Sequence, residues 1–240
     1  MPITGFLRDS GKQFLLRSWD LLNKVYYWYN VLTSYRHARQ AISTGDSAYD
    51  AYIKEQLLET LQKKRIFSHV RRGRVALIEQ YAALEPVTGK SVLCVGCRNV
   101  NEIEIFRSLG ASKVVGIDLQ SSHPDILVMD MHDLKFEDSS FDVVYSRHSF
   151  EHAFDKRKAA GEFARVCREG GSVVIEVPGG FKGGADYNRF DTTEDVFGPF
   201  RPQVGDVIID EYRRKADTGE KMDIIRAAFH VKKAADAPSA

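Results

Sequence analysis

From Phe14 to Thr33, apolar and aromatic residues recur at intervals of three and four: Leu15, Trp19, Leu22, Tyr26, Tyr29 and Thr33. That spacing lays one stripe along a helix. A second such segment runs from about Ala48 to Ile66 with Tyr52, Ile53, Leu57 and Leu61, and a third from Val75 to Leu84 with Leu77, Ile78 and Tyr81. The stretch Ser43-Thr44-Gly45-Asp46-Ser47 and the later Arg71-Arg72-Gly73 interrupt them. The first ninety residues therefore read as a helical extension.

Beyond Pro86 and Gly89 the period alternates between two and four. Ser91–Val95, Lys113–Asp118, Ile126–Asp130, Phe141–Ser146 and Ser172–Val177 read as short apolar strands, with helices at Asn101–Leu109 and Lys156–Arg168 between them. Apolar strands alternating with helices predict a largely parallel sheet covered on both faces. The last two strands, Val204–Tyr212 and Met222–Val231, are separated only by a charged turn, which predicts an antiparallel hairpin. The expected fold is α/β: a Rossmann-like, mostly parallel seven-stranded sheet with a C-terminal antiparallel hairpin and an N-terminal helical extension. Its expected divisions are residues 1–88 (helical cover), 89–231 (core) and 232–240 (a disordered tail), and no internal repeat is evident.

Charge changes this picture little. Thirty-four basic and thirty-three acidic residues leave a formal net charge of +1, so no global field draws in nucleic acid or an anionic membrane. The basic clusters Lys63-Lys64-Arg65 and Arg71-Arg72-Gly73-Arg74 read as solvated faces, and nucleic acid is not the expected partner. No stretch approaches the roughly 20 apolar residues that cross a bilayer. Three cysteines, Cys94, Cys97 and Cys167, do not build a disulfide framework, so a reducing, cytoplasmic location is expected.

The candidate chemistry begins at Gly96, which directly follows the first strand and precedes a helix, so that a tight turn can expose main-chain N–H groups to a ligand. Asp118 ends the second strand, placed to accept from both hydroxyls of an adenosine ribose; Asp130 and Met131 end the third, near where adenine would lie. Taken singly, the glycine is an ordinary turn residue and Asp118 a surface or capping acid. Their order along the chain is what carries the argument.

Residues 89–178 resemble the core of class I S-adenosylmethionine-dependent methyltransferases, in particular the small-molecule and ubiquinone-type group. The most specific stretch is Asp130-Met131-His132-Asp133-Leu134-Lys135-Phe136-Glu137-Asp138-Ser139-Ser140-Phe141-Asp142-Val143-Val144-Tyr145-Ser146, followed by Ser149-Phe150-Glu151-His152 and later by Arg165-Val166-Cys167-Arg168-Glu169-Gly170-Gly171. The resemblance implies S-adenosylmethionine as cofactor and S-adenosylhomocysteine as product. It implies that Gly96 and its loop hold the methionine part, Asp118 the ribose, and Asp130 with Met131 the adenine; Leu119 and Ser146 join the cofactor contacts. The family commonly has an acid where Cys94 stands and glycines where Arg98 and Val100 stand, so Arg98 either pairs with the cofactor carboxylate or obstructs the pocket. The missing G-x-G-x-x-G pattern argues against a nicotinamide dehydrogenase.

A sulfonium methyl is already electrophilic, so the protein has chiefly to align an acceptor and keep the site dry. His148 and His152 are the candidate general bases for an oxygen acceptor, and His148, the nearer to the end of the fourth strand, is the expected catalytic or substrate-contacting residue. Glu151 and His152 read as organisers of one side of the site. His148 and His152 lie four apart without a third ligand at suitable spacing, so no metal is expected. After the fifth strand, Pro178-Gly179-Gly180-Phe181-Lys182-Gly183-Gly184 predicts a mobile loop, with Tyr187, Asn188 and Arg189 as acceptor-binding candidates. Thr192 and Asp195 predict a helix start. The aromatic set Trp19, Tyr26, Tyr27, Trp28, Tyr29 and Tyr35 is suited to core packing, an aromatic or lipid-linked acceptor, or a homodimer. The leading expectation is methyl transfer to a small molecule such as a sugar or metabolite hydroxyl. The alternatives are a non-catalytic interaction module of this fold and an RNA or protein methyltransferase.

Overall fold

The computed structural model describes residues 45–63, 75–121, 123–180, 182–218 and 222–233, together with the helical positions 21, 22, 24–26, 28, 29 and 32. Trp19, Tyr27 and Tyr35, the basic runs 64–65 and 71–74, and the tail from 234 lie outside the described residues, as does the side chain of Lys63. The chain divides into two compact units, 1–69 and 70–240.

In the first unit, helix α1 (Ser47–Lys63) starts behind Asp46, whose Oδ1 accepts from the amides of Ala48 and Tyr49. Such a side chain satisfies amides that have no partner within the helix. Tyr52, Ile53, Gln56 and Leu57 are buried along one face, the three-and-four spacing read from the sequence. Leu21, Leu22, Val25, Trp28, Tyr29 and Leu32, by contrast, are each more than half exposed. No described helix is long and apolar enough to cross a membrane.

The second unit is built on a seven-stranded sheet. Its strands are β1 (Ser91–Val95), β2 (Lys113–Asp118), β3 (Ile126–Val128), β4 (Phe141–Arg147), β5 (Cys167–Gly179), β6 (Val204–Arg213) and β7 (Asp223–Val231). They lie in the order β3-β2-β1-β4-β5-β7-β6. β1 to β5 are parallel, while β7 runs antiparallel to both β5 and β6. Alternate residues feed two cores. Val92, Cys94, Val143, Tyr145 and Val174 pack with Leu77, Ile78 and Tyr81 of α2 (Ala76–Leu84) and Ile103 and Phe106 of α3 (Asn101–Ser108). Leu93, Val95, Val144 and Ile175 pack on the other face with Ala159, Ala160 and Phe163 of α4 (Lys156–Val166). A strand buried on both faces needs apolar residues at every position, which is why these strands read as runs rather than alternations. Helix α2, read from the sequence as part of the N-terminal extension, thus packs into the second unit.

Boundaries moved where local pairing intervened. α4 stops at Val166, because Cys167 already pairs with Phe141 of β4; the register then jumps to Val143 opposite Ser172, and residues 168–171 form the detour. β3 stops at Val128, and Asp130 instead belongs to a turn in which its Oδ1 accepts from the His132 amide at 2.9 Å. Between β6 and β7 the charged turn contains a single helical turn, α6 (Lys215–Thr218), tied down by Lys215 N–H donating to Asp223. Thr192 and Asp195 exchange the expected capping bonds, 2.9 Å from the Thr192 amide and 3.3 Å back from the Asp195 amide, although the short helix they serve, α5, spans Glu194–Phe197.

Candidate active site

The strand order reverses between β1 and β4: the chain leaves β1 toward β2 on one side and returns through β4 to β5 on the other. In open α/β sheets the crevice outside the carboxyl ends at such a switch point is where ligands bind. At the β1 exit Gly96 has φ +69, and a Cβ there would overlap Ser149 and lie 2.7 Å from its Oγ. Ser149 Oγ donates to the Val95 carbonyl at 2.9 Å and is 2.7 Å from Ser146 Oγ. The glycine is required by the backbone and by Ser149 together, and the close approach it permits is to the β4 exit.

Asp118, buried at the end of β2, receives the Arg98 amide on Oδ2 at 3.0 Å and the Gln120 amide on Oδ1 at 3.2 Å. Burial raises its pKa; the amides and the nearby Arg98 charge act in the opposite direction. Arg98 Nε is sealed from solvent without a hydrogen-bond partner. Leu119 follows Asp118 directly. Asp130 Oδ1 faces His132 Nδ1 at 2.7 Å, while the Asp155 amide donates to His132 Nε2 at 3.2 Å. These partners assign the ring proton to Nδ1. Met131 packs against the core beside them. Gly96, Arg98, Asp118, Leu119 and Ser146 thus lie at or just past the carboxyl ends of β1, β2 and β4, with Asp130 and Met131 in the turn after β3.

His148, just past β4, sits in the left-handed region at φ +49, uncommon for a residue with a side chain. Its amide donates to the Glu176 carbonyl at 2.8 Å, its Nε2 is 3.3 Å from Glu176 Oε1, and its Nδ1 is 3.7 Å from Glu151 Oε1. Burial pulls its pKa down, but the two carboxylates outweigh burial and leave it at about 9. Glu176 is fully buried and receives Arg226 Nε at 2.7 Å. Arg147 Nε is as close, 2.7 Å from Oε1, but not aligned for a hydrogen bond. Burial pushes Glu176 up, and the His148, Arg147 and Arg226 charges more than reverse this, to about 2. Arg226 also donates to Gln80 Oε1, and Gln80 Nε2 to Glu211. At neutral pH His148 is thus a cation and a proton donor, a different state from that of a general base.

A family model described as a methyltransferase domain matches residues 93–175, the span from β1 into β5. The chain is similar to an S-adenosylmethionine-dependent methyltransferase structure from Mesorhizobium loti, with a TM-score of 0.52 and 14% identity over 64% of this chain and 96% of that one. The fold is that of the class I methyltransferases. Among curated proteins, it is 46% identical over 128 residues to the chloroplastic tocopherol O-methyltransferase of Arabidopsis thaliana, covering 44% of this chain and 37% of that one. It is 29% identical over 108 residues to the O-methyltransferase cnsE of Penicillium expansum, covering 38% and 39%. The chain therefore spans well under half the length of these two relatives.

Within this methyltransferase fold the segment after β5 is held at several points. Gly179 bridges to Phe190, the Gly180 amide donates to the Phe190 carbonyl, and Phe190 is fully buried. Asn188 turns its amide nitrogen to the Ala153 carbonyl at 2.6 Å, Tyr187 rests on Phe154 with ring centroids 5.7 Å apart, and Arg189 pairs with Asp191 at 2.8 Å. Glu151, His152 and Asp186 bring potential ligand atoms within 4.8 Å of one another. Two of those side chains are engaged by the loop: His152 Nδ1 faces the Ala185 carbonyl at 3.1 Å and Asp186 Oδ1 at 3.2 Å, and Asp186 Oδ2 accepts from the Gly183 amide. These contacts clamp the loop to the 3₁₀ turn Phe150–His152. Sequence reasoning missed Arg147, Glu176 and Arg226 and the part played by Ser149. The available signal was a lone charge inside an apolar run, as in Ile175-Glu176-Val177 and Ile225-Arg226-Ala227.

Proposed function

We propose that the protein transfers a methyl group from S-adenosylmethionine to a small-molecule acceptor. The observation that carries this reading is the buried Asp118 at the switch point, beside the Gly96 turn and an Arg98 Nε sealed in without a partner. An unsatisfied buried donor is costly, and a ligand carboxylate would satisfy it. The residues thus fit the cofactor: Arg98 would hold its carboxylate, Asp118 its ribose, and Asp130, Met131 and Leu119 its base, with Ser146 at the floor. S-adenosylmethionine, when bound, supplies an electrophilic methyl on a sulfonium. What remains for the chain is to orient the acceptor and exclude water.

His148 would face the acceptor as an imidazolium, offering a proton or a positive charge. That favours an acceptor oxygen that ionises readily, such as a phenol or a carboxylic acid, over a sugar hydroxyl that needs a base. The names of the plant and fungal O-methyltransferases support oxygen as the atom methylated. Tyr187 and Arg189 would line the acceptor side. All three cysteines are free and buried, which supports a reducing compartment. The exposed apolar residues between 21 and 32 would seat a second copy, and light scattering checks that. The deciding test is calorimetric titration with S-adenosylhomocysteine: micromolar binding by the wild type, lost in Asp118→Ala, is expected, and no binding at millimolar ligand would sink the proposal.

A further inference from the structure

The buried charges at the β4 and β5 ends extend well beyond the needs of a cofactor pocket. Glu176 grips the neighbouring residue twice: its main-chain carbonyl accepts the His148 amide, and its carboxylate lies 3.3 Å from the His148 ring. The first contact helps hold the backbone at φ +49; the second fixes the ring. The carboxylate is in turn held from two sides, by Arg147 of β4 and Arg226 of β7. Arg226 is braced by Gln80 of α2, and Gln80 by Glu211 of β6. Five elements are therefore linked in one chain of contacts that ends on the Glu176 carboxylate, whose other neighbour is the partly exposed His148 imidazole. A buried ion pair is weak evidence for stability, since apolar replacements often do as well. An arrangement of this extent is more economically explained by what it orients.

We infer that Glu176 is the positioning residue that sets the orientation and protonation of His148. The inference rests on the proposed methyl-transfer site, in which His148 faces the acceptor. The charged groups facing the ring are Glu151 from the 3₁₀ turn, Glu176 from β5 and Arg147 from β4. Glu151 and Glu176 favour the protonated ring and Arg147 opposes it. Arg226 acts through Glu176. With Glu176 gone, only Glu151 would stabilise the imidazolium against burial and Arg147, so the proton would be held less tightly and the ring would lose one of its two anchors.

The test is an NMR pH titration of the His148 ring in the full chain, its resonance assigned by its loss in His148→Asn. Glu176→Gln should lower the His148 pKa by one unit or more while the His132 and His152 resonances stay in place. A His148 shift below about 0.3 unit overturns the inference. Should the Gln variant fail to fold with two arginines left under-compensated, Glu176→Asp keeps the charge and withdraws the carboxylate by one methylene. A fall of half a unit then supports positioning, and an unchanged value overturns it. Titration of the same wild-type sample with S-adenosylhomocysteine reads the methyltransferase proposal separately, so each can fail alone.

Discussion

Gly96 and Asp118 show how much a single residue decides at the head of the sheet. Gly96 meets two demands, a left-handed backbone and the Ser149 side chain against its α-carbon. Gly96→Ala should cost about 1–2 kcal/mol for the left-handed conformation alone, plus the overlap with Ser149. Adding Ser149→Gly should recover the overlap part and leave the backbone part, which a double-mutant cycle by urea denaturation resolves. An additive pair would mean that Ser149 simply moves aside. Asp118 holds the amides of Arg98 and Gln120, so it both shapes the loop and faces the proposed ribose. Replacing it by Asn keeps the size but removes the charge. Hydrogen bonds to charged groups contribute about 1.5–3 kcal/mol, so affinity for S-adenosylhomocysteine should fall roughly ten- to a hundredfold. An unchanged affinity in calorimetry would place the ribose elsewhere.

Elements are joined here by side chains that span several of them at once. Arg165 near the end of α4 forks to Glu162 at 2.7 and 2.8 Å, and reaches the Leu134 and Phe136 carbonyls at 2.7 and 2.8 Å and Asp138 at 2.7 Å. It staples the irregular stretch between β3 and β4 to the helix. A lysine offers one point charge in place of a planar fork. Arg165→Lys is therefore expected to lose about 1–3 kcal/mol, read as a lower urea midpoint with an unchanged slope. The glycine-rich segment after β5 makes the same point from the other side. Its composition predicts mobility, but the glycines do not record that Phe190 is buried, that Asn188 ties the loop to Glu151 and Ala153, and that Asp186 holds the Gly183 amide within it.

On the scale of the whole molecule, the charges at the β4 and β5 ends set a pH window. His148 is raised from 6.5 to about 9. The stability it contributes is fully present below pH 6.5 and is lost as pH rises toward 9, by at most about 3 kcal/mol at 1.36 kcal/mol per unit, less for a ring that keeps 28% of its surface exposed. Glu176 is lowered from 4.5 to about 2, so its contribution is present above 4.5 and lost as pH falls toward 2. The two shifts describe partly the same interaction and do not add. Urea denaturation at pH 6, 7.5 and 9.5 should show the alkaline loss in the wild type, and His148→Asn should flatten it; an equal loss in both would assign it to other groups.

Periodicity alone marked the strands of the sheet and the helices that cover it, because a strand buried on both faces and a helix buried on one have different apolar spacings. It placed Gly96 and Asp118 at strand ends for the same reason, whereas Asp130 lies in the turn beyond β3. What the pattern could not show was which charges meet across the sheet. Arg147, Glu176, Arg226, Gln80 and Glu211 are as much as 146 residues apart, and only the order β4-β5-β7-β6 brings together the strands that carry four of them. Nor could it show the charge state of His148, since that depends on two carboxylates outweighing burial. Local spacing governs which elements form; pairing across the sheet governs which side chains share a dry environment, and the chemistry at the β4 exit depends on the latter.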